Sequence, residues 1–188
     1  MSGGLALIPP IMSGMTFRVG NYIDYNTFRA ASAASGSALS TNTIYTSLMD
    51  IPPGGLRVDR IAIEVTATGT ATLARIALYR MGTDGNPGVA LFTGATELDV
   101  TGTGRKEETV SLSLPQGPIV AAVLLNGSCT LMAYGTPTSS PLGYADTLTT
   151  TKVVSWTQSL VYTTMPATFA ATGVLASGGP RIGLRVAA

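Results

Sequence analysis

The stretch Leu56–Gly88, LRVDRIAIEVTATGTATLARIALYRMGTDGNPG, determines the fold class of this chain. Apolar residues alternate with mixed ones in both of its halves, at Ile61, Ile63, Val65, Ala74, Ile76 and Leu78. Successive side chains of a strand point to opposite faces, so each half predicts a strand with one apolar face. The tract Thr83–Gly88 supplies the glycines and the proline that reverse a chain sharply. The stretch therefore predicts two half-buried antiparallel strands joined to further strands by tight turns.

Further segments of the chain follow the same pattern. Strands are predicted at 44–51, 89–92, 97–100, 106–114, 119–125, 129–134 and 181–186, and more loosely within 15–28. Turns separate them about every 8–12 residues, which is typical of β-sandwiches and jelly rolls. Residues 30–43 are small and polar and are predicted as a surface loop, and no segment predicts an ordinary helix. We expect an all-β, jelly-roll-like antiparallel β-sandwich over residues 21–188, with an extended arm over residues 1–20.

The charge of the chain is unusually low. Charged residues make up 11% of the sequence and the formal net charge is +1, whereas typical soluble domains carry about 25% charged residues. A surface with so few charges is poorly protected against association, which favours a homo-oligomer, with a trimer preferred. There is no basic run to indicate a nucleic-acid partner. No apolar stretch reaches the roughly 20 residues of a membrane span, so no membrane insertion is expected.

Several function classes are disfavoured by missing residue types. The chain contains no histidine, the commonest general base and metal ligand. The adjacent Glu107 and Glu108 would point to opposite faces of a strand, which disfavours a carboxylate pair. Asp84 and Asn86 are candidate calcium ligands, but calcium needs six to eight oxygens and a turn is the favoured interpretation. We expect no catalytic residues, no metal and no cofactor.

The N-terminal residues predict a short apolar arm. Its candidate anchoring residues are Leu5, Leu7, Ile8 and Ile11. Pro9-Pro10 make the arm stiff and extended, and with no basic n-region they argue against a secretory signal. The single Cys129 is predicted to be a small buried apolar residue, consistent with folding in a reducing cytoplasm. The arm is expected to dock on a neighbouring subunit; the alternatives are that it lies on its own domain or is disordered.

Three aromatic residues near the end of the chain are candidates for binding. Trp156 is the only tryptophan, and Tyr144 and Tyr162 lie near it in sequence. Tyrosine and tryptophan offer a flat apolar face with a polar group, which suits stacking on a sugar ring. The alternative is that Trp156 packs in the core or at a subunit interface.

The order of these motifs resembles a β-sandwich module of tailed bacteriophages and prophages, found in tail-fibre, tail-appendage and other minor virion proteins. The similar residues are Ser13-Gly14, Tyr45, Ile51-Pro52, Asp59-Arg60-Ile61, Val65-Thr66, Leu78-Tyr79-Arg80, Asp84 to Gly88, Thr103 to Lys106, Leu114 to Gly117, Met165 to Phe169 and Pro180 to Val186. After the turn that corresponds to Leu114 to Gly117, the family often has Tyr-Trp, whereas this chain has Pro118-Ile119. The resemblance covers nearly all of the chain after the arm.

The resemblance implies a virion β-sandwich protein and does not by itself give its position on the particle. Since no catalytic residues are expected, we expect a non-enzymatic structural protein at the virion surface. We expect a component of a tail fibre or tail appendage that meets host surface glycans and other virion proteins. One alternative is a capsid decoration or head-fibre protein whose N-terminal arm clamps onto the head. A second alternative is a free carbohydrate-binding module, which would be a monomer.

Overall fold

The computed structural model describes residues 17–24, 35–134, 155–170, 173–175 and 179–188. Within these ranges the chain forms thirteen β-strands and no helix. The strands are β1 Tyr22–Ile23, β2 Ser35–Leu39, β3 Thr43–Ile51, β4 Leu56–Ala67, β5 Leu73–Met81, β6 Pro87–Thr93, β7 Leu98–Asp99, β8 Gly104–Leu114, β9 Gly117–Leu125, β10 Cys129–Ala133, β11 Ser155–Ser159, β12 Gly173–Leu175 and β13 Ile182–Val186. The expected all-β class is confirmed.

The first sheet is built around β4. One edge of β4 pairs with β8 along its length. The other edge pairs first with β13, where Ile63 lies opposite Ile182, and then with β10, where Val65 lies opposite Leu131. Strand β1 extends the sheet beyond β13, and β2 extends it beyond β10.

The second sheet has the order β12-β11-β3-β9-β5-β6, and β7 pairs with the first residues of β5. The pairings in both sheets are antiparallel. The two sheets pack face to face, so the expected antiparallel β-sandwich is confirmed.

The main hydrophobic core lies between the two sheets. The apolar face of β4 enters it through Ile61, Ile63 and Val65, and β5 contributes Ile76 and Leu78. These five side chains are at most 1% exposed. The alternation that predicted β4 as a half-buried strand is therefore confirmed, because its other face carries the more exposed Arg60 and Glu64.

The prediction that β5 is half-buried was wrong. Ala77 and Tyr79 on its other face are fully buried. They belong to a second apolar cluster on the outer face of the second sheet, together with residues of β3 and β9. Strand β9 is buried on both faces, as its unbroken apolar run predicted. A sheet with two apolar faces needs a third layer of chain to cover it.

Residues 160–170, here called the covering segment, provide part of that third layer. At one end the Leu160 amide donates to the carbonyl of Asn42, just before β3, at 3.0 Å. At the other end the Phe169 amide donates to the carbonyl of Gly88 in β6, also at 3.0 Å. Between them, the hydroxyl of Tyr79 donates to the carbonyl of Pro166 (3.0 Å). The covering segment thus reaches from the β3 side of the sheet to β6.

The predicted surface loop at 30–43 was wrong for its second half. Residues 35–39 form β2, which pairs with β10, and Leu39 is buried in the main core. Position 36 in β2 accepts only a small residue, because a Cβ on Gly36 would lie 2.9 Å from the Cγ2 of Thr130. Backbone pairing holds β2 in place without much apolar bulk, so composition alone gave no signal for a strand.

The described end of the expected arm lies against the sandwich. Phe17 packs on the main core, and the Gly20 amide donates to the carbonyl of Val186 (2.9 Å). The anchoring candidates Leu5, Leu7, Ile8 and Ile11 lie outside the described residues. The association of the arm with another subunit stays a prediction.

Candidate functional site

A groove of about 300 Å³, lined by both apolar and charged residues, opens on the outer face of the first sheet. Five strands and their flanking residues supply its walls, so the sheet itself sets its shape. Its lining residues are Tyr22, Asp24, Ala62, Ile63, Glu64, Arg105, Met132, Arg181 and Gly183. We call it the Tyr22 groove. Its volume lies at the lower end of the range of roughly 300–1,000 Å³ that small-molecule sites occupy.

Small residues make its floor. Ala62 of β4 lies directly opposite Gly183 of β13. A Cβ on Gly183 would lie 3.1 Å from the Cδ1 atom of Tyr22, which is closer than packed carbon atoms normally approach. The glycine therefore lets the tyrosine ring lie close against the sheet instead of standing away from it.

Tyr22 is fixed on two sides. Its hydroxyl donates a hydrogen bond to a carboxylate oxygen of Glu107. The guanidinium carbon of Arg105 lies 5.1 Å from the centre of its ring, within cation–π range, and the Arg105 Nε donates to the same Glu107 oxygen at 2.7 Å. Burial, followed by the bond to Glu107, raises the pKa of Tyr22. The ring is therefore held in one orientation before any ligand arrives.

An ion pair forms another part of the wall. The Nε of Arg181 lies 2.5 Å from Oδ2 of Asp24. The Asp24 side chain is 10% exposed, whereas that of Arg181 is 45% exposed. The hydrogen bond to Asp24 raises the pKa of Arg181 and keeps its guanidinium charged.

The groove can offer both donors and acceptors to a ligand. Arg105 and Arg181 carry N–H donors, and Asp24 and Glu64 carry carboxylate acceptors, so the formal charges of the lining balance. Tyr22 and Met132 add apolar surface. Within the described ranges no three His, Cys, Asp or Glu side chains are grouped to hold a metal ion. The arrangement therefore places hydrogen-bonding groups of both kinds beside apolar surface.

Trp156, the principal aromatic candidate from the sequence, is buried. It is 3% exposed and belongs to the second apolar cluster. Its backbone N–H and C=O both bond to the hydroxyl of Thr46, each at 2.8 Å. Stacking on a sugar needs an open ring face, so the position of Trp156 in this chain fits the core alternative.

Tyr162 packs at the border of the same cluster. Its hydroxyl donates to Glu97 (3.0 Å), and the guanidinium of Arg75 lies 5.9 Å from its ring centre. Burial and the bond to Glu97 raise the pKa of Tyr162 to about 12. Trp156 and Tyr162 therefore share one cluster, while the third candidate, Tyr144, lies outside the described residues.

The turn at 83–88 has the geometry that the sequence predicted. The Gly82 amide donates to the carbonyl of Asn86 (2.7 Å), and Gly85 has a φ of 78°. Both carboxylate oxygens of Asp84 accept hydrogen bonds from Asn86, at 3.1 Å each. These bonds lower the pKa of Asp84. They engage the carboxylate in closing the turn, which favours the turn interpretation over a calcium site.

The residues of the Tyr22 groove were not found from the sequence. The sequence places Tyr22 only in a loosely alternating segment, and it places Arg181 and Gly183 in the last predicted strand. The groove forms because Ala62 pairs with Gly183 and Glu64 with Arg105. A single sequence does not reveal such pairings. The one available signal was a glycine at an outward position of a strand.

Glu108 is a second polar group of interest, away from the groove. It is 5% exposed, and its Oε1 accepts a long hydrogen bond from the Thr96 amide (3.4 Å). Within the described part of the chain its Oε2 has no hydrogen-bond partner. Burial raises the pKa of Glu108, although nearby Arg75 acts in the opposite direction. The buried Glu108 carboxylate is therefore expected to affect the stability of the fold and not to bind a ligand.

Comparison with known proteins identifies no family for this chain. No protein-family model matches the sequence, and a search of curated proteins finds no significant match. In the described part of the chain no helix has the length and apolarity to cross a membrane.

Proposed function

We propose that this chain is a non-enzymatic structural protein of a bacteriophage virion. Within that class, we assign it to a tail fibre or tail appendage that contacts host surface glycans. Its place would be the virion surface, reached after folding in the host cytoplasm. The order of the sequence motifs supports the phage assignment. The motifs that lie within the described residues fall on strands, on turns and on the covering segment.

The observation that carries the proposal is the low share of charged residues in a well-packed sandwich. The outward positions of β8 near its end are Thr109, Ser111 and Ser113, all exposed. Only 11% of the whole chain is charged. A protein that works free in solution at high concentration gains solubility from surface charge. A component that is permanently packed in a particle does not depend on surface charge for its solubility.

Exposed apolar side chains support assembly with further copies or partners. Among the described residues the large exposed ones are Val19, Val89 and Val161, at 58%, 65% and 72%. Val161 belongs to the covering segment, and Val89 of β6 forms a bridge with Thr168 in the same segment. Two of the three therefore lie on or beside the covering segment. We propose a homo-oligomer, with a trimer favoured, that uses this side of the molecule.

Gold-labelled antibodies against the purified chain would test the proposal on phage particles. The particles should come from the bacterium that carries the gene. Label on the tail is expected. Label on the head would favour a capsid decoration or head-fibre protein instead, and particles without label would overturn a virion role. A free carbohydrate-binding module would leave the particles unlabelled and be monomeric.

The N-terminal arm has its own test. Deleting residues 2–12 removes Leu5, Leu7, Ile8 and Ile11, which we expect to dock on a neighbour. The shortened protein should therefore be absent from purified particles. The isolated sandwich should remain folded. Circular dichroism and immunoblots of the particles measure the two effects. Unchanged incorporation of the shortened chain would show that the arm is not the anchor.

A further inference from the structure

We propose that the Tyr22 groove is the saccharide-binding site of this protein and that it accepts a neutral, polyhydroxylated ring. This inference rests on the glycan contact proposed above and gives it a location. It moves the contact from the buried Trp156 to the outer face of the first sheet.

The balance of charge in the groove selects a neutral ligand. The lining includes two carboxylates, from Asp24 and Glu64, and two guanidinium groups, from Arg105 and Arg181. An anion would be attracted by the arginines and repelled by the carboxylates. A cation would be attracted by the carboxylates and repelled by the arginines. A sugar hydroxyl both donates and accepts hydrogen bonds, so it can use all four groups without a net charge.

The apolar parts of the groove fit the rest of a sugar ring. Met132 is half-buried, and the ring of Tyr22 lies close to Gly183 on the groove floor. Sugar rings present C–H groups as well as hydroxyls, and aromatic side chains pack well against them. The volume of about 300 Å³ has room for a mono- or disaccharide unit at the end of a longer glycan.

The groove is also organised in advance. Glu107 and Arg105 fix Tyr22, and Asp24 fixes Arg181. All of these residues stand on paired strands or directly beside them. A site whose side chains are already ordered loses less conformational entropy when a ligand binds. Glu64 has no such partner among the described residues and is half-buried, which leaves its carboxylate available to a hydroxyl.

The first experiment locates binding on the folded protein. We would add glucose, galactose, mannose, rhamnose and N-acetylglucosamine, each at millimolar concentration, to the isotope-labelled full chain and record amide chemical shifts. At least one sugar is expected to shift residues 22–24, 62–64 and 181–183 together. Shifts confined to another region, or no shifts with any of these neutral sugars, would overturn the assignment. Glucuronate or phosphate shifting the groove in their place would overturn its neutral character.

Matched variants make the test specific. Glu64→Gln keeps the size of the side chain and removes its charge, so it should weaken binding of the sugar found above by about fivefold to tenfold. Glu97→Gln makes the same change at a distance from the groove and should leave affinity unchanged. Equal affinity of both variants and the parent would overturn the role of Glu64 in the groove. Thermal unfolding confirms that each variant is folded.

Failure of this inference can be told apart from failure of the proposed function. If fluorescent protein binds bacterial cells and Glu64→Gln binds equally well, the groove is not the contact, but the glycan-contacting role stands. If particles carry no antibody label, the virion role fails whether or not the groove binds sugar.

Discussion

At Thr46 one buried hydroxyl satisfies both backbone groups of Trp156. Thr46→Val keeps the shape of the side chain and leaves a buried N–H and a buried C=O without partners. Each lost partner costs about 1–3 kcal/mol, so we expect the free energy of unfolding to fall by about 2–6 kcal/mol. Thr46→Ser keeps the hydroxyl and should cost at most about 1 kcal/mol. Urea denaturation measures both, and equal losses in the two variants would show that the hydroxyl is not the cause.

Glu108 gives the fold a dependence on pH. Because burial raises its pKa in the folded state above the ordinary value of 4.5, the folded chain favours the protonated carboxyl. Its contribution to stability is therefore fully present below that value and is lost as pH rises through the raised pKa. Glu108→Gln is expected to be more stable than the parent at about pH 7 and to lose this advantage near about pH 4. Urea midpoints at the two pH values test this, and a constant difference would contradict it.

At the scale of elements, the covering segment is held by a few contacts. The rings of Phe169 and Tyr79 meet edge to face, with centres 5.4 Å apart. Phe169→Ala should lower the free energy of unfolding by about 3 kcal/mol or more. It should also make residues 160–170 more sensitive to protease, because β6 and Tyr79 would hold the segment less tightly. Thr168→Ala, at an exposed neighbouring position, is the control, and protease resistance equal to that of the control would contradict this role.

The sequence predicted the strands in which apolar and polar residues alternate. It did not predict features that depend on which segments pack or pair with a strand. Strands β4, β8 and β13 each show one apolar face, and their prediction needed no knowledge of pairing. Strand β2 is held by its backbone bonds to β10, and composition does not report such bonds. The outer face of β5 was misread because the covering segment lies more than eighty residues away from it in sequence.

At the scale of the whole molecule, the same limit applies to the candidate site. The Tyr22 groove brings together residues from both ends of the chain and from its middle, and only the register of the sheet joins them. The fold class could be predicted because β4, β8 and β13 repeat the same alternation and turns separate the strands. The site could not, because it depends on which strands are neighbours.

The state of assembly is a property of the whole molecule that can be measured directly. We expect light scattering to give three times the 19.2 kDa mass of one chain. Val161→Asp places a charge at an exposed apolar position of the covering segment and should shift the mass toward one chain. Thr163→Asp, at another exposed position of the same segment, should leave the mass unchanged. A parent protein that stays monomeric at high micromolar concentration would contradict the oligomer.

The place of β13 inside the first sheet has a consequence for biosynthesis. Ile63 pairs with Ile182, which the ribosome adds more than a hundred residues later. At about 5–20 residues per second, the free edge of β4 waits on the order of ten seconds for its partner. An apolar strand with an open edge can pair with other chains during that time. The nascent chain is therefore most exposed to aggregation late in translation, and slower translation of the last third would lower the yield of soluble protein.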